Sequence, residues 1–244
     1  ERLFRRLAKR LSIHTVLEYP AWGVKAMPSI YSLGFALAGC QVTLVDAHDR
    51  GLQVWKELGL TDRLQLLSSS DFDSTQEAVR GWDLCWNFNL LPTVDQPQLW
   101  IERMAKFSRR WVLFVHVNRF NVGFGIHRTV HKLWRIPWTH GDTHFFSPFH
   151  VCNMVQQQDF TRIRWGVVDC PPWPDSLGFR DLRLHRSQNR EREWSSPYAQ
   201  ALHHGDMPKW VKWVYLGERL PLPALLKLPY AHLFYVIFSV ERHV

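Results

Sequence analysis

Cysteine is scarce in this chain of 244 residues, and the few cysteines are dispersed. The 4 cysteines, Cys40, Cys85, Cys152 and Cys170, show none of the C-x-x-C spacing that marks zinc or redox sites. Their number and spread exclude a disulfide-stabilised miniprotein and are typical of a protein from a reducing compartment. We therefore expect a cytoplasmic location.

Long apolar runs are also missing. No window approaches the roughly 18 uninterrupted apolar residues of a membrane-spanning helix, and the first residues contain no apolar core of a secretory signal. Internal repeats and low-complexity tracts are absent as well. The sequence therefore predicts neither a spanning helix nor a secretory signal, and it excludes collagen-like and disordered chains.

What the chain does contain is 46% hydrophobic and 21% charged residues, a balance that allows a full core to be buried. The net charge of +8 makes an anionic partner worth considering, and 13 tryptophans suggest nucleic acid as one candidate. The basic residues are dispersed, however, and no RNA-binding module can be identified. Nucleic acid therefore ranks behind other partners.

Strand-like and helix-like segments alternate along most of the chain. Residues 13–19 and 41–46 are short β-branched and apolar runs, and residues 28–38 between them carry apolar residues at helical spacing. The alternation continues with predicted helices at 52–58, 74–80, 98–107 and 147–158 and predicted strands at 63–67, 82–88, 111–117 and 162–168. This order predicts a parallel sheet with helices on both faces. We interpret the final strand, residues 233–240, as antiparallel.

Several strand sequences resemble those of a known family. Val16-Leu17-Glu18 resembles the entry to motif I of class I S-adenosylmethionine-dependent methyltransferases of the type 11-like group, and residues 42–46 (V-T-L-V-D) resemble the end of their second strand. Residues 82–87 and 111–115 are similar to strands four and five. The resemblance implies a single methyltransferase-like domain over residues 1–244. It also implies a Rossmann-like seven-stranded sheet with a C-terminal antiparallel strand.

The resemblance also implies S-adenosylmethionine as cofactor and a set of binding residues. Asp46 would accept hydrogen bonds from the ribose hydroxyls. Glu18 would orient the turn after the first strand or reach the methionine ammonium through water. Asn87 would lie near the methionyl part or the acceptor, and Ser70, Asp71 and Phe72 would meet the adenine. Ala21 and Gly23 complete the predicted crevice.

The turn after the first strand departs from the family. Where the family has E-x-G-x-G-x-G, this chain reads Glu18-Tyr19-Pro20-Ala21-Trp22-Gly23-Val24, so Gly23 alone remains. The segment up to Asp46 is also several residues longer than is usual for the family. Two interpretations stay open, a modified mode of cofactor binding and a degenerate methyltransferase that binds none.

Histidines occur at helical spacing in two places. His127 and His131 could bind a metal only with a third ligand from elsewhere, and because the sequence indicates none, no metal site is predicted. Residues 138–144 form a polar loop in the region that covers the acceptor in methyltransferases. His140, His144 or Asp142 could remove the acceptor's proton there, or the loop could simply lead into the next helix.

The two remaining segments concern possible partners. Residues 1–12 form a basic amphipathic helix that could lie on an anionic membrane or pack beside the sheet. Residues 171–230 form a Trp-rich insertion that could be a lid or an interaction segment. The expected function is methyl transfer to a small or lipophilic acceptor at oxygen, nitrogen or carbon. A non-catalytic methyltransferase-like subunit that binds a protein partner is the alternative, and RNA methylation is the third.

Overall fold

The computed structural model describes residues 2–21, 28–70, 81–171, 174, 179, 182, 209 and 216–242. The predicted helix at 74–80 and most of the insertion at 171–230 therefore lie outside the described residues. Within the described residues, no helix is both long and apolar enough to cross a membrane.

Seven strands form one sheet in the order β3-β2-β1-β4-β5-β7-β6. The pairs β1–β2, β2–β3, β1–β4 and β4–β5 are parallel, whereas β7 runs antiparallel to both β5 and β6. The strands are β1 (Thr15–Glu18), β2 (Gln41–Val45), β3 (Leu64–Leu67), β4 (Trp82–Phe88), β5 (Ser108–Val117), β6 (Phe160–Val168) and β7 (Leu233–Arg242). The predicted mixed sheet with a reversed final strand is confirmed.

Helices cover the two faces of this sheet. They are α1 (Arg2–Leu11), α2 (Leu33–Ala36), α3 (Asp49–Glu57), α4 (Pro97–Phe107), α5 (Val122–Leu133), α6 (Pro148–Gln156), α7 (Leu216–Arg219) and α8 (Ala224–Lys227). Short 3-10 helices lie at Thr61–Arg63, Leu91–Thr93 and Thr143–Phe146.

Alternation along the central strands divides the core into two layers, because successive side chains of a strand point to opposite faces. Leu17 and Cys85 belong to the layer that also holds Met104 of α4 and Val151 of α6. Val16 and Trp86 belong to the layer beneath α1, α2 and α3. The four cysteines are free thiols, three of them buried, in agreement with the sequence.

The N-terminal helix packs beside the sheet. Leu3, Leu7 and Ala8 are buried, and the ring of Phe4 stacks on Phe35 of α2 with centroids 4.3 Å apart. Its arginines and lysine face solvent. The apolar face is therefore already covered by the core. Of the two arrangements that the sequence left open, a membrane surface or packing beside the sheet, the structure agrees with packing beside the sheet.

The helix predicted at residues 28–38 is much shorter than expected. Only Leu33–Ala36 are helical, and a helix that includes the predicted first turn is excluded by Ser29, whose φ of 68° no right-handed helix allows. Ser29 is held there by its neighbours: its hydroxyl donates to the carbonyl of Ala21, and its carbonyl accepts from the indole of Trp55. Tertiary hydrogen bonds thus override the helical spacing of the apolar residues.

Candidate active site at the carboxyl edge of the sheet

Polar side chains gather where the parallel strands β1, β2 and β4 end. Glu18 is the last residue of β1, Asp46 directly follows β2, and Asn87 is next to last in β4. The strand order reverses between β1 and β4, and this reversal is where open α/β sheets form their ligand crevice. The sequence prediction that these three residues share one edge agrees with the strand register.

Glu18 is fully buried and takes part in an internal hydrogen-bond chain. The indole N–H of Trp86 donates to Ser32 Oγ over 2.8 Å, and Ser32 Oγ donates to Glu18 Oε2 over 2.7 Å. The carboxylate therefore connects the end of β1 to the segment before α2. Its role in this structure is to fix that segment, as a buried charge must be satisfied by donors.

Asn87 connects the end of β4 to the start of the turn after β1, the turn whose sequence differs from that of the family. Its amide nitrogen donates to the carbonyls of Tyr19, at 3.1 Å, and Pro20, at 2.7 Å. Its Oδ1 is buried and has no hydrogen-bond partner among the described residues. The amide group of Asn87 thus shapes the turn itself, and only its oxygen is left for a ligand.

Residues 22–27, including Gly23, lie outside the described residues, but both ends of this stretch are anchored. The backbone N–H of Ala21 donates to the carbonyl of Val45 over 2.8 Å, and Ser29 Oγ donates to the carbonyl of Ala21 over 3.1 Å. Ser29 Oγ in turn accepts from the backbone N–H of His48 at 2.8 Å. Ala21 and Ser29, which lie on either side of residues 22–27, are therefore in direct contact.

Asp46 is half-buried beside the start of the segment after β3. The backbone N–H of Ser69 donates to Asp46 Oδ1 over 2.8 Å, and the Ser69 hydroxyl donates to Oδ2. These two bonds orient the carboxylate at the carboxyl end of β2. Ser70 is exposed and its hydroxyl pairs with that of Ser68, whereas Asp71 and Phe72 lie outside the described residues.

The loop at residues 138–144 is fixed against the segment that follows β4. The backbone N–H of Asp142 donates to the carbonyl of Pro92 over 2.8 Å. Gly141 adopts a φ of 80°, and a Cβ at this position would come within 2.0 Å of the same carbonyl oxygen. Glycine is therefore required for this close approach, and the loop lies near the carboxyl edge of β4.

The loop residues predicted as proton acceptors separate into two groups. His144 Nδ1 lies 2.8 Å from Asp142 Oδ1, and the backbone N–H of His144 donates to the same oxygen over 2.9 Å. These hydrogen bonds hold the pKa of Asp142 below its usual value, that of the backbone being the larger cause. Both side chains are exposed. An imidazole that donates through Nδ1 keeps Nε2 able to accept a proton.

His140 joins a different group, which the sequence did not reveal. One ring nitrogen from each of His127, His131 and His140 lies within 4.8 Å of the other two. His127 and His131 project from one face of α5 and are buried, and His140 is half-buried. The indole of Trp138 packs against all three rings, with centroids 4.8 to 5.2 Å away.

Sequence comparison gives no relative, whereas structure comparison gives many. No family model matches the chain, and no curated protein matches it in sequence. Magnesium protoporphyrin IX methyltransferase from Synechocystis PCC 6803 is 15% identical, with 71% of this chain and 77% of that chain covered and a TM-score of 0.50. The cyclase SpnF is 12% identical, with 98% and 79% covered and a TM-score of 0.50.

Both similarities are similarities of backbone structure. The sequence identities are too low for the site residues of these proteins to be assigned to positions in this chain. The strand order, the parallel and antiparallel pairs and the helices on both faces agree with this relationship. One of the two proteins is named for methyl transfer and the other for cyclisation, so the fold alone does not fix the reaction. This chain has the fold of the class I S-adenosylmethionine-dependent methyltransferases.

Proposed function

We propose that this protein binds S-adenosylmethionine at the carboxyl edge of β1, β2 and β4 and transfers its methyl group to a small or lipophilic acceptor. The observation that carries the proposal is the position of Asp46, a half-buried carboxylate that directly follows β2 beside the point where the strand order reverses. Adjacent hydroxyls of a ribose are donors that suit such a carboxylate.

Each residue of this edge would contribute something different. Asp46 would bind the ribose, and Asn87 would offer its buried Oδ1 to a donor group of the ligand. Glu18 would act indirectly, by holding the segment around Ser32 in place. When bound, the cofactor supplies a methyl group on a positively charged sulfur, so the chemistry needs positioning more than a strong base.

The acceptor side would be formed by the loop at residues 138–144. Its hydrogen bond to Pro92 joins it to the segment that follows β4, and His144, oriented by Asp142, would accept a proton from a hydroxyl or amine acceptor. The insertion at 171–230 would complete the acceptor side or contact a protein partner, and a cytoplasmic or membrane-peripheral setting fits a lipophilic acceptor.

Isothermal titration calorimetry tests the cofactor half of the proposal. The wild type is titrated with S-adenosylmethionine and with S-adenosylhomocysteine, beside Asp46→Asn and the exposed control Asp62→Asn. Asn can still accept from Ser69 but lacks the charge, so the loss of charged hydrogen bonds should cost about 1.5–3 kcal/mol of binding energy. The control should bind like the wild type. Equal affinities of the wild type and Asp46→Asn would contradict the assignment.

A methyl-donor turnover screen tests the reaction half. Pools of metabolites, quinones, lipids and RNA are offered to the wild type and to His144→Ala. Turnover of a small or lipophilic acceptor, reduced in His144→Ala, is expected. Full activity in the variant would remove His144 as the proton acceptor and leave positioning alone.

The second candidate is a subunit that binds no cofactor. It is favoured by the hydrogen bonds that Glu18 and Asn87 make to other groups of the protein. Both side chains donate to or accept from protein groups at the place where the family's turn would approach the cofactor. This candidate predicts that the wild type binds neither molecule in the calorimeter.

A further inference from the structure

The three histidines on α5 and the following loop form a compact donor set. We propose that His127, His131 and His140 bind a divalent transition metal ion, Zn²⁺ in the first instance. Ring nitrogens on tetrahedral zinc lie about 2.0–2.1 Å from the metal and hence roughly 3.3 Å from one another. His127 Nε2 and His131 Nε2 are 3.1 Å apart, and one nitrogen from each ring lies within 4.8 Å of the others.

The tautomer of His131 favours this role. Its Nδ1 lies 3.1 Å from the backbone carbonyl of Ile136, and because a carbonyl can only accept, Nδ1 carries the hydrogen. Nε2 then presents a lone pair toward His127. A backbone carbonyl on the far nitrogen is the usual outer partner of a metal-bound histidine, since it fixes the ring's orientation.

The local fold holds the donors in place. His127 and His131 are one helical turn apart on α5 and only 2% and 6% exposed. Trp138 packs against both rings, and its indole N–H donates to the carbonyl of Gly141 over 2.9 Å. The backbone N–H of Asp142 donates to the carbonyl of Pro92, and Gly141 permits this close approach, which keeps His140 beside the helix. The third ligand therefore comes from a loop that contacts α5 through Trp138 and is hydrogen-bonded to Pro92 through Asp142.

Three protein ligands leave a coordination position open, as in catalytic zinc sites. His131 lines a cavity of about 640 Å³ together with Arg128, Lys132 and Asp142. With two cationic side chains against the one carboxylate of Asp142, the lining favours an anionic oxygen donor as the fourth ligand. The metal site does not depend on the proposed methyl transfer, and it would stand even if no cofactor binds.

Metal binding is measured on the full chain after treatment with a chelator, without any activity assay. Zn²⁺ is titrated in competition with a chromophoric chelator, and Co²⁺ is added separately because a tetrahedral Co²⁺ site has characteristic visible absorption bands. The variants are His140→Gln, in the loop, and His144→Gln, an exposed histidine four residues later. His140→Gln removes one donor without disturbing the buried face of α5.

The wild type and His144→Gln should bind about one equivalent of Zn²⁺ and show the Co²⁺ bands. In His140→Gln the affinity should fall by about 100-fold or more, because even changes to outer partners cost about 10- to 100-fold. Zn²⁺ should raise the unfolding temperature of the wild type and of His144→Gln but not of His140→Gln. Equal Zn²⁺ affinities in the wild type and His140→Gln, or an absence of Co²⁺ bands in the wild type, would overturn the assignment.

Discussion

His116 on β5 offers a direct test of how burial shapes this core. The imidazole is fully buried near the rings of Phe114 and Phe234, with centroids 6.0 and 5.6 Å away. Neither ring nitrogen has a hydrogen-bond partner among the described residues. Burial lowers the pKa of His116 to about 3, so the folded protein keeps this side chain neutral at all moderate pH values.

The expected magnitude follows from proton linkage. In the unfolded chain the pKa of histidine is about 6.5, so between pH 6.5 and about 3 the unfolded state binds more protons than the folded state. Stability is therefore fully present above pH 6.5 and falls as the pH drops toward 3. At about 1.36 kcal/mol per pH unit, His116 alone should lower the free energy of unfolding by about 2 kcal/mol between pH 8 and pH 5.

Replacement by Phe should remove this contribution, because Phe fits an aromatic site and does not titrate. Urea unfolding at pH 8, 7, 6 and 5 gives the free energy of unfolding of the wild type, of His116→Phe and of His150→Phe, the same change at an exposed position. The difference between His116→Phe and the wild type should grow by about 2 kcal/mol from pH 8 to pH 5. If this difference is the same at pH 8 and pH 5, His116 is protonated or paired in the folded protein and the reasoning fails.

Two further predictions concern the segments that frame the site. Gly141→Ala would place a Cβ against the carbonyl of Pro92 at a positive φ, so thermal unfolding should show a loss of about 1–3 kcal/mol in the free energy of unfolding, and Zn²⁺ affinity should fall. The same change at Gly125, where the space is open, serves as control. Equal stability of both variants would contradict the close approach. Ser29→Ala removes the hydroxyl that joins Ala21 to the turn before α3, so urea unfolding should show a loss of about 1–3 kcal/mol. A neutral effect would mean that water replaces this hydroxyl.

Most of the sheet could be predicted because its strands are buried on both faces. Such strands read as short continuous apolar runs, and their signal does not depend on distant residues. The reversed strand β7 was also readable, since its apolar run follows a stretch without helix–strand alternation. The resemblance to the methyltransferases then implied that the strands join in one seven-stranded sheet, which local patterns alone do not contain.

The segment from Ser29 to Ser32 could not be predicted from local spacing. Its apolar residues suggest a helix, but its conformation is set by partners that come from elsewhere in the chain, among them Trp55 and Trp86. A serine carries no sequence signal for such a role. The same limit applies to the metal site, where the spacing of His127 and His131 was visible but the third donor depends on how a loop folds back.

The turn after β1 differs from that of the family in the hydrogen bonds around it. A glycine-rich turn holds its shape through backbone hydrogen bonds and leaves room for a ligand to approach the main chain. Here side chains hold the described residues on either side of 22–27: Asn87 binds the carbonyls of Tyr19 and Pro20, Ser29 binds Ala21, and Ser32 binds Glu18. The proposed nucleoside site would then rely on side chains such as Asp46 at this edge. Calorimetry of the wild type therefore separates a modified cofactor site from a fold that has given up its cofactor, and the affinity lost in Asp46→Asn then measures how far that site depends on this carboxylate.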